Sequence, residues 1–248
     1  MVAQLVICAD GGANRYREAF FRTENLDLRH RYPDVILGDL DSLLPQVRRY
    51  YERRGVQILH DHDQYSTDLT KCLKYIELHA AATIQAYNLD RSAERADALD
   101  VVIVGSMGKR LDQGFATLQG LIKASQGTTP YINQIFLLSP ENITFMLRAG
   151  MNRISTPLAD LVLAESIGVL PLGGPATITT RGLEWDVLNW TTQFGGQVST
   201  SNHVHADVVH IDLVQGDGVL VTIELAGRPS ETLAVPLDSD LSGDSDQG

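Results

Sequence analysis

Short apolar runs alternate with helix-like segments through the first 140 residues of the chain. Five runs are rich in branched residues and end at a polar residue or glycine, which is typical of buried strands. They are residues 4–9, 34–38, 56–59, 101–105 and 134–139. Apolar residues at helical spacing predict one helix that begins near Thr67 and another around Phe115–Ile122. This alternation predicts an α/β fold: a mostly parallel, Rossmann-like sheet with helices on both faces.

The pattern changes near residue 140, where helical periodicity gives way to short segments rich in β-branched residues. These segments are residues 142–147, 152–156, 160–166, 168–172, 176–180, 207–213 and 218–225. Strands at this spacing predict an antiparallel β-sandwich or barrel. We therefore expect an α/β domain at 1–140 and an all-β domain at 141–237. A disordered acidic tail is expected at 238–248, and a surface insertion at 83–99.

The composition is that of a folded protein, with 44% hydrophobic residues and a formal net charge of −11. Nucleic acids and anionic membranes select for basic surfaces, so neither is an expected partner. No apolar run reaches the ~20 residues of a membrane span, and the N-terminus does not resemble a signal peptide. Cys8 and Cys72 lack metal-ligand spacing. We expect two buried, reduced thiols in a cytoplasmic protein.

Acidic residues follow the predicted strands of the first domain, where ligands bind in open α/β sheets. They are Asp10, Asp39 with Asp41, Asp63 with Asp68, and Asp112. Asp39 and Asp41 are two positions apart, so in extended chain both carboxylates would project to the same side. Two like charges are costly together unless a cation lies between them, and Mg²⁺ favours such oxygen ligands. For an isolated pair, a solvated turn is the competing interpretation, which the other acidic strand ends disfavour.

Two further segments combine acidic and basic side chains. Asp68 and Lys71 lie on one face at the start of the predicted helix, where Asp68 could also simply stabilise the N-terminus behind an N-cap at Thr67. Phosphoryl transfer would use both groups, the carboxylate to bind a metal ion and the ammonium to bind phosphate. Arg110 and Asp112 follow a glycine-containing turn that permits close approach to a phosphate. A salt-linked surface loop is the alternative there.

Four motifs in this order together resemble the thiamin pyrophosphokinase family in its eukaryotic form. They are A-D-G-G-A-N at 9–14, G-D-L-D-S at 38–42, D-Q-Y-S-T-D-L-T-K at 63–71 and G-S-M-G-K-R-L-D-Q at 105–113. R-G-L-E-W at 181–185 and F-G-G-Q-V-S-T-S-N at 194–202 are similar to the family's thiamin-binding sandwich. The resemblance implies transfer of pyrophosphate from ATP to the thiamin hydroxyl, with release of AMP, in a homodimer whose active sites are shared between subunits.

The resemblance also implies roles for individual residues. Mg²⁺ would be held by Asp39, Asp41 and Asp68, with Asp112 close by. Catalytic roles fall on Asp39, Asp68, Lys71, Arg110 and Asp112. Thiamin would contact Gln64, Trp185, Ser199, Ser201 and Asn202. The nucleotide would contact Asp10, Gly11, Asn14, Ser42, Thr67, Gly105 and Gly108.

Trp185 also has a physical argument of its own, because a tryptophan face attracts the cationic thiazolium of thiamin by roughly 0.5–2 kcal/mol. Core packing is the alternative for Trp185, and it is favoured for Trp190.

Two other functions compete with this hypothesis. Only eight residues precede Ala9, whereas relatives usually have another strand there, so an inactive or binding-only paralogue is the second hypothesis. A pyrophosphokinase acting on a pterin alcohol is the third. It is less favoured because Trp185 and the S-T-S-N segment fit thiamin better.

Overall fold

A computed structural model describes residues 3–22, 32–86, 98–105, 110–126, 131–160 and 162–227. These residues form four α-helices and three β-sheets. The helices are α1 (Gly12–Arg22), α2 (Pro45–Glu52), α3 (Asp68–Ala86) and α4 (Leu111–Gln126). The first strands are β1 (Ile7–Ala9), β2 (Val35–Gly38), β3 (Gln57–His60), β4 (Leu99–Val104), β5 (Ile132–Leu138), β6 (Asn142–Leu147) and β7 (Gly150–Ser155). The others are β8 (Leu163–Pro171), β9 (Ala176–Arg181), β10 (Trp190–Thr192), β11 (Ser199–His203), β12 (Val208–Gln215) and β13 (Val219–Leu225).

The first sheet is parallel, with strand order β1-β2-β3. Its two faces are covered by different helices, because successive side chains of a strand point to opposite sides. Ile36 of β2 packs with Val47 and Tyr51 of α2, whereas Val35 and Leu37 pack towards Cys72 of α3. The sheet is therefore buried on both sides, and its strand ends project into the turns that carry the acidic motifs.

The second sheet has six strands in the order β11-β8-β13-β6-β5-β4. Its β4–β5 pair is parallel, and the other pairs are antiparallel. One face contributes to a core that includes Leu73 of α3 and Leu121 of α4. Because this sheet runs through residue 140, the expected α/β and all-β regions share a sheet, and the domain division itself stays a prediction.

The third sheet is antiparallel, with order β10-β9-β12-β7. Its buried face packs against the second sheet around Val169, Val221, Ile178 and Ile211. This packing forms the β-sandwich that the spacing of strands predicted. The fold class is thus confirmed: a parallel α/β region followed by an antiparallel sandwich. Among the described helices, none is long and apolar enough to cross a membrane.

The structure differs from the sequence-based prediction in the placement of several elements. β4 and β5 were expected in the parallel sheet, but in the described residues they extend the mixed one. Residues 160–166 and 168–172 were expected as two strands, but β8 continues through Gly168. A Cβ at Gly168 would lie 3.0 Å from Thr222 Cγ2, so this glycine permits close packing of neighbouring strands rather than a turn.

The hydrophobic pattern of the sequence did not predict some helices and strands. α1 begins within the glycine-containing A-D-G-G-A-N motif, and α2 is only eight residues long. β10 and β11 are short, polar and lie at sheet edges, so they lack the apolar alternation of half-buried strands. Of the insertion expected at 83–99, residues 83–86 belong to α3 and Leu99 belongs to β4. Residues 87–97 and the tail at 238–248 lie outside the described residues.

Candidate active site

Three carboxylates from separate segments meet beside the ends of β1 and β2. Asp10 follows β1, Asp39 follows β2, and Asp68 is the first residue of α3. Each can offer an oxygen that lies within 4.8 Å of those of the other two. The parallel pairing of β1 with β2 places both strand ends at one edge, and the N-terminus of α3 adds the third acid. The structure therefore forms an acidic group at the edge where α/β sheets bind ligands.

Asp10 is the most buried member of this group, at 3% exposure. Its Oδ2 accepts a hydrogen bond of 3.0 Å from Ser42 N, whereas its buried Oδ1 has no hydrogen-bond partner. Burial raises the pKa of Asp10. Hydrogen bonds from the Ser42 and Gly11 amides oppose that change, and the negative charges of Asp68 and Asp41 add to it. The unsatisfied oxygen points to a ligand, since buried carboxylate oxygens are rarely left without a partner.

Gly38 allows the three acids to approach one another. A Cβ at this position would lie 2.7 Å from Asp10 Cβ and 2.9 Å from Asp68 Oδ1, closer than real side chains pack. The glycine of the G-D-L-D-S motif is thus required by space rather than by backbone conformation.

Lys71 lies against the acidic group from the next turn of α3. Its ammonium is almost fully buried and donates hydrogen bonds of 3.2 Å to Asp68 Oδ1 and to the Asp61 carbonyl. Burial lowers the pKa of Lys71, but the hydrogen bond and charge of Asp68, together with the negative charges of Asp39 and Asp61, outweigh burial and raise it. Lys71 therefore fixes Asp68 and offsets part of the negative charge.

These residues fit a divalent cation with a preference for oxygen ligands. Asp10, Asp39 and Asp68 supply only carboxylate oxygens, which is the donor set that Mg²⁺ favours. The unpartnered Oδ1 of Asp10 and the mutual repulsion of the three acids both indicate a missing positive charge.

The remaining residues of the first two motifs connect their turns. Asn14 Nδ2 donates a hydrogen bond of 2.8 Å to the Ser42 carbonyl, and Asn14 Oδ1 accepts one of 3.1 Å from Leu44 N. A Cβ at Gly11 would lie 3.0 Å from Ser42 Cβ. Asp10, Gly11, Asn14 and Ser42 are therefore together as the sequence suggested, and their nucleotide contacts stay a prediction.

Asp41 lies next to the acidic group but is not one of its three members. Leu40 has a φ of 63°, so the chain turns between Asp39 and Asp41 instead of continuing in extended conformation. The argument that both carboxylates project to one side of extended chain is wrong for this reason. Asp41 Oδ1 instead accepts 2.8 Å from Ser42 Oγ.

Arg110 and Asp112 form a pair with each other, with Nη2–Oδ2 and Nε–Oδ1 distances of 2.6 and 3.1 Å. Their side chains are 71% and 61% exposed. The hydrogen bond from Arg110 lowers the pKa of Asp112. Asp112 is thus outside the group of three, and Arg110 and Asp112 form the salt link that was the alternative. Gly105 has a positive φ of 75°, whereas Gly108 lies outside the described residues.

Thr67 caps α3 as expected: its Oγ1 accepts 3.2 Å from Thr70 N, the third amide of the helix. Asp68 therefore occupies the first turn, where the helix dipole favours a carboxylate. In the preceding loop, Asp63 accepts 2.9 Å from Tyr65 N and is not a member of the acidic group.

A second candidate site is a cavity of about 590 Å³ inside the sandwich region. Four of the five predicted thiamin contacts line it, namely Trp185, Ser199, Ser201 and Asn202. Gln64, the fifth, is an exposed residue of the loop before α3 and does not line the cavity. The remaining lining residues are Val169, Ile178, Thr180, Leu183, Val187, Trp190, Gly196, Gln197, Val198 and Thr200.

Trp185 presents its ring at this cavity and is 54% exposed, so core packing does not describe it. Buried Asn202 holds the backbone of Trp185: its side chain accepts a hydrogen bond of 3.1 Å from Trp185 N and donates one of 2.8 Å to Trp185 O. The turn is also tied by Asp186, which accepts 2.9 Å from Gly182 N and 3.2 Å from Leu183 N. Polar side chains of the motif thus build the wall that carries the aromatic ring.

Sequence reasoning missed some of these placements. Asp10 was expected at the nucleotide, yet it joins Asp39 and Asp68 in the acidic group. Its position after a strand was the available signal. Trp190 packs against the core of the sandwich as favoured, but it also lines the cavity and donates a hydrogen bond of 2.9 Å to Gln197 Oε1. Gln197 belongs to the F-G-G-Q motif, but nothing local identified its partner.

The structure thus has two candidate ligand sites: an acidic group at the edge of the parallel sheet of its α/β region, and a cavity lined by tryptophan in its β-sandwich. Residues 2–132 match the family model described as "Thiamin pyrophosphokinase, catalytic domain", and residues 153–216 match "Thiamin pyrophosphokinase, vitamin B1 binding domain". The chain belongs to the thiamin pyrophosphokinase family, as the motifs indicated.

Relatives and solved structures agree with this assignment. Thiamine pyrophosphokinase 3 of Oryza sativa subsp. japonica is 34% identical over 231 residues, covering 90% of this chain and 79% of that protein. The structure titled "Thiamin pyrophosphokinase from Candida albicans" has a TM-score of 0.74 at 29% identity, covering 89% and 81% of the two chains. The crystal structure of yeast thiamin pyrophosphokinase has a TM-score of 0.73 at 28% identity, covering 89% of this chain and 78% of that chain. These findings favour neither the pterin nor the binding-only alternative.

Proposed function

We propose that this chain transfers the terminal pyrophosphate of ATP to the hydroxyl of thiamin, giving thiamin diphosphate and AMP. The observation that carries the proposal is the convergence of Asp10, Asp39 and Asp68 beside buried Lys71, in a chain of this family. Pyrophosphoryl transfer needs positioning and neutralisation of phosphate charge more than covalent chemistry by the protein. The acidic group and its lysine supply groups for both.

Mg²⁺ is the cofactor that these side chains fit. Asp10, Asp39 and Asp68 would hold it, with Asp41 next to them. When bound, the ion draws charge from the phosphate oxygens of ATP. The chain's own contribution is to keep the ligands in place: Ser42 N holds Asp10, and Lys71 holds Asp68.

The thiamin hydroxyl would attack the β-phosphorus with AMP as the leaving group. Asp39 and Asp68 are our candidates for the group nearest the hydroxyl proton. Arg110 is exposed, and its guanidinium would bind a phosphate if it exchanged Asp112 for that anion. Asp112 would then become available to the metal or to water.

Thiamin would bind in the sandwich cavity. The exposed face of Trp185 can stack on an aromatic ring and attract the cationic thiazolium. Ser199 and Ser201 on the same wall offer hydroxyl groups to the polar edge of the pyrimidine.

A homodimer would bring these two half-sites together. Within the described residues, the cavity lining contains none of Asp10, Asp39 and Asp68. A symmetric dimer can place the acidic group of one subunit against the sandwich cavity of the other. We propose that each active site is completed in this way.

Product analysis tests the proposed function. The protein is incubated with ATP, Mg²⁺ and thiamin, and the nucleotides are separated. AMP that appears only with thiamin present is expected. ADP would indicate a simple phosphotransferase, and no nucleotide product would indicate a binding-only chain. AMP formation with a hydroxymethylpterin but not with thiamin would assign the chain to the third hypothesis.

The Asp39→Asn variant tests the acidic group in the same assay. Loss of one ligand charge should lower kcat by at least about 100-fold, the scale of one electrostatic contact in a transition state. A matched control is Asp217→Asn, which changes an exposed carboxylate in the turn between β12 and β13. Near-normal turnover by Asp39→Asn would remove this residue from the site.

A further inference from the structure

Glu184 and His203 form a close pair beside the thiamin cavity, and none of the roles described above includes them. His203 Nδ1 lies 2.5 Å from Glu184 Oε2, and the two side chains are 38% and 36% exposed. Nδ1 donates a hydrogen bond to the Glu184 carboxylate when Nδ1 carries the ring proton, and the contact is an ion pair when both ring nitrogens are protonated. The pair therefore holds the imidazole ring in one orientation.

The backbone places these two side chains opposite each other. Leu183 and Val204 form an antiparallel bridge, Glu184 N donates 2.9 Å to His203 O, and His205 N donates 2.9 Å to Gly182 O. Side chains that face each other across such a ladder interact directly. The Glu184–His203 contact is thus built into the same segment pairing that carries Trp185.

His203 in turn packs against Trp185. The ring centroids are 5.3 Å apart, with the planes tilted by 41°. Trp185 lines the cavity, whereas His203 is not among the described residues that line it. The imidazole therefore supports the indole from outside the cavity and leaves the ring surface that lines the cavity for a ligand.

An aromatic side chain this exposed needs such support. Trp185 is 54% exposed, so little core packing restricts its side-chain torsions. A stacking residue that is mobile before binding loses conformational entropy when the ligand arrives, and fixing it in advance improves affinity. Asn202 fixes the backbone of Trp185, and the His203 ring packs against its indole.

The negative charge of Glu184 also favours binding of a cation at Trp185. Its carboxylate lies on the residue adjacent to Trp185 and cancels the charge of a protonated His203. An uncompensated imidazolium against the indole would oppose the attraction of that ring for a cationic thiazolium.

We propose that Glu184 and His203 are positioning residues for the thiamin-stacking ring: Glu184 orients His203, and His203 orients Trp185. This inference rests on the proposed function, since it assigns the ligand of Trp185 to thiamin. It predicts effects on thiamin and little effect on ATP, because both residues act on the ring of Trp185 and not on the side chains of the acidic group.

The test compares Glu184→Gln, His203→Ala and the double variant. Each single change should raise the KM for thiamin and the calorimetric Kd for thiamin about three- to tenfold, with the KM for ATP within about twofold. The double variant should be no worse than His203→Ala, because Glu184 acts only through His203. His203→Phe, which keeps a ring but no hydrogen bond, should lie between wild type and His203→Ala. Glu52→Gln, which breaks an exposed pair with Arg48 on α2, is the control and should change neither constant.

The outcomes separate this inference from the proposed function. A wild-type protein that neither binds thiamin nor forms AMP would reject the proposed function. If wild type is active, thiamin constants within twofold in both single variants would overturn the inference. It would also be overturned by equal losses towards thiamin and ATP, or by additive effects in the double variant. If His203→Ala does not fold, His203→Phe and Glu184→Gln carry the same comparison.

Discussion

Asp10 shows how a single residue can oppose folding and serve the site. It is buried beside two other carboxylates, and its Oδ1 has no hydrogen-bond partner. Burial is the largest cause of the rise in its pKa, since a buried carboxylate loses hydration. A buried negative charge beside two others lowers the stability of the fold. Its presence therefore indicates a ligand whose positive charge offsets it.

The Asp10→Asn substitution should therefore stabilise the metal-free protein. Asparagine keeps an oxygen for Ser42 N but removes a negative charge from the group of three. We expect the melting temperature in EDTA to rise by about 2–4 °C, which corresponds to roughly 1 kcal/mol for a protein of this size. Thermal unfolding followed by calorimetry measures this change.

Mg²⁺ provides the complementary comparison for Asp10. Millimolar Mg²⁺ should raise the melting temperature of the wild type, because a ligand that binds only the native state stabilises it. The increase should be smaller in Asp10→Asn. A variant that melts lower than wild type in EDTA would contradict the assigned electrostatic strain.

The two cysteines show how burial changes the reactivity of a side chain. Cys8 and Cys72 are both free and buried, and burial raises the pKa of each thiol to about 12. The thiolate is the reactive form, so at pH 8 the native protein should react with iodoacetamide very slowly. In urea both thiols should be labelled within minutes. Mass spectrometry of the labelled protein checks this, and rapid labelling of the native protein would contradict the assigned burial.

At the scale of single elements, α3 connects the fold to the acidic group. Its first turn carries Asp68 and Lys71, and Cys72 packs in the core below. Thr67 fixes where the helix begins, so it also fixes the position of Asp68.

The Thr67→Ala substitution should destabilise the protein by about 1 kcal/mol, the usual effect of losing an N-cap. Thr83→Ala is a matched control, because Thr83 lies inside α3 and its Oγ1 only donates to the His79 carbonyl. Alanine has the higher helix propensity, so this control should be neutral or slightly stabilising. Urea unfolding measures both. Equal losses in the two variants would show that Thr67 does not act as a cap.

At the scale of the whole molecule, the main feature is that the acidic group and the sandwich cavity are formed by different residues. The first lies beside β1 and β2 and the second between the sandwich sheets. A reaction between ligands of both regions requires them to meet, and the proposed homodimer supplies a route.

A subunit-mixing experiment tests this proposal. Asp39→Asn and Trp185→Ala each damage a different half-site, so each homodimer should have little activity at low thiamin concentration. After unfolding and refolding together, heterodimers carry one intact shared site. Random pairing then predicts a recovery of about a quarter of the wild-type rate. No recovery, with heterodimers present by mass spectrometry, would place both half-sites within one subunit.

Local sequence patterns determined most of the fold and the family of this protein. β6 occupies the predicted residues 142–147, and Thr67 caps α3 as expected. Strand alternation, helical spacing and cap residues are properties of neighbouring positions, so they can be read without the fold. The motifs likewise identified the family and four of the lining residues of the cavity, since each motif is a continuous segment.

Only the tertiary structure decided which of the predicted residues meet. Asp10 joins Asp39 and Asp68, while the positive φ of Leu40 takes Asp41 away from that arrangement. Strand β4 pairs with β5 in the mixed sheet, and His203 reaches Trp185 through a bridge between distant segments. These contacts depend on backbone turns and on pairing between segments far apart in the chain. Hydrophobic periodicity carries no information about either, because it describes which face a residue presents and not what that face contacts.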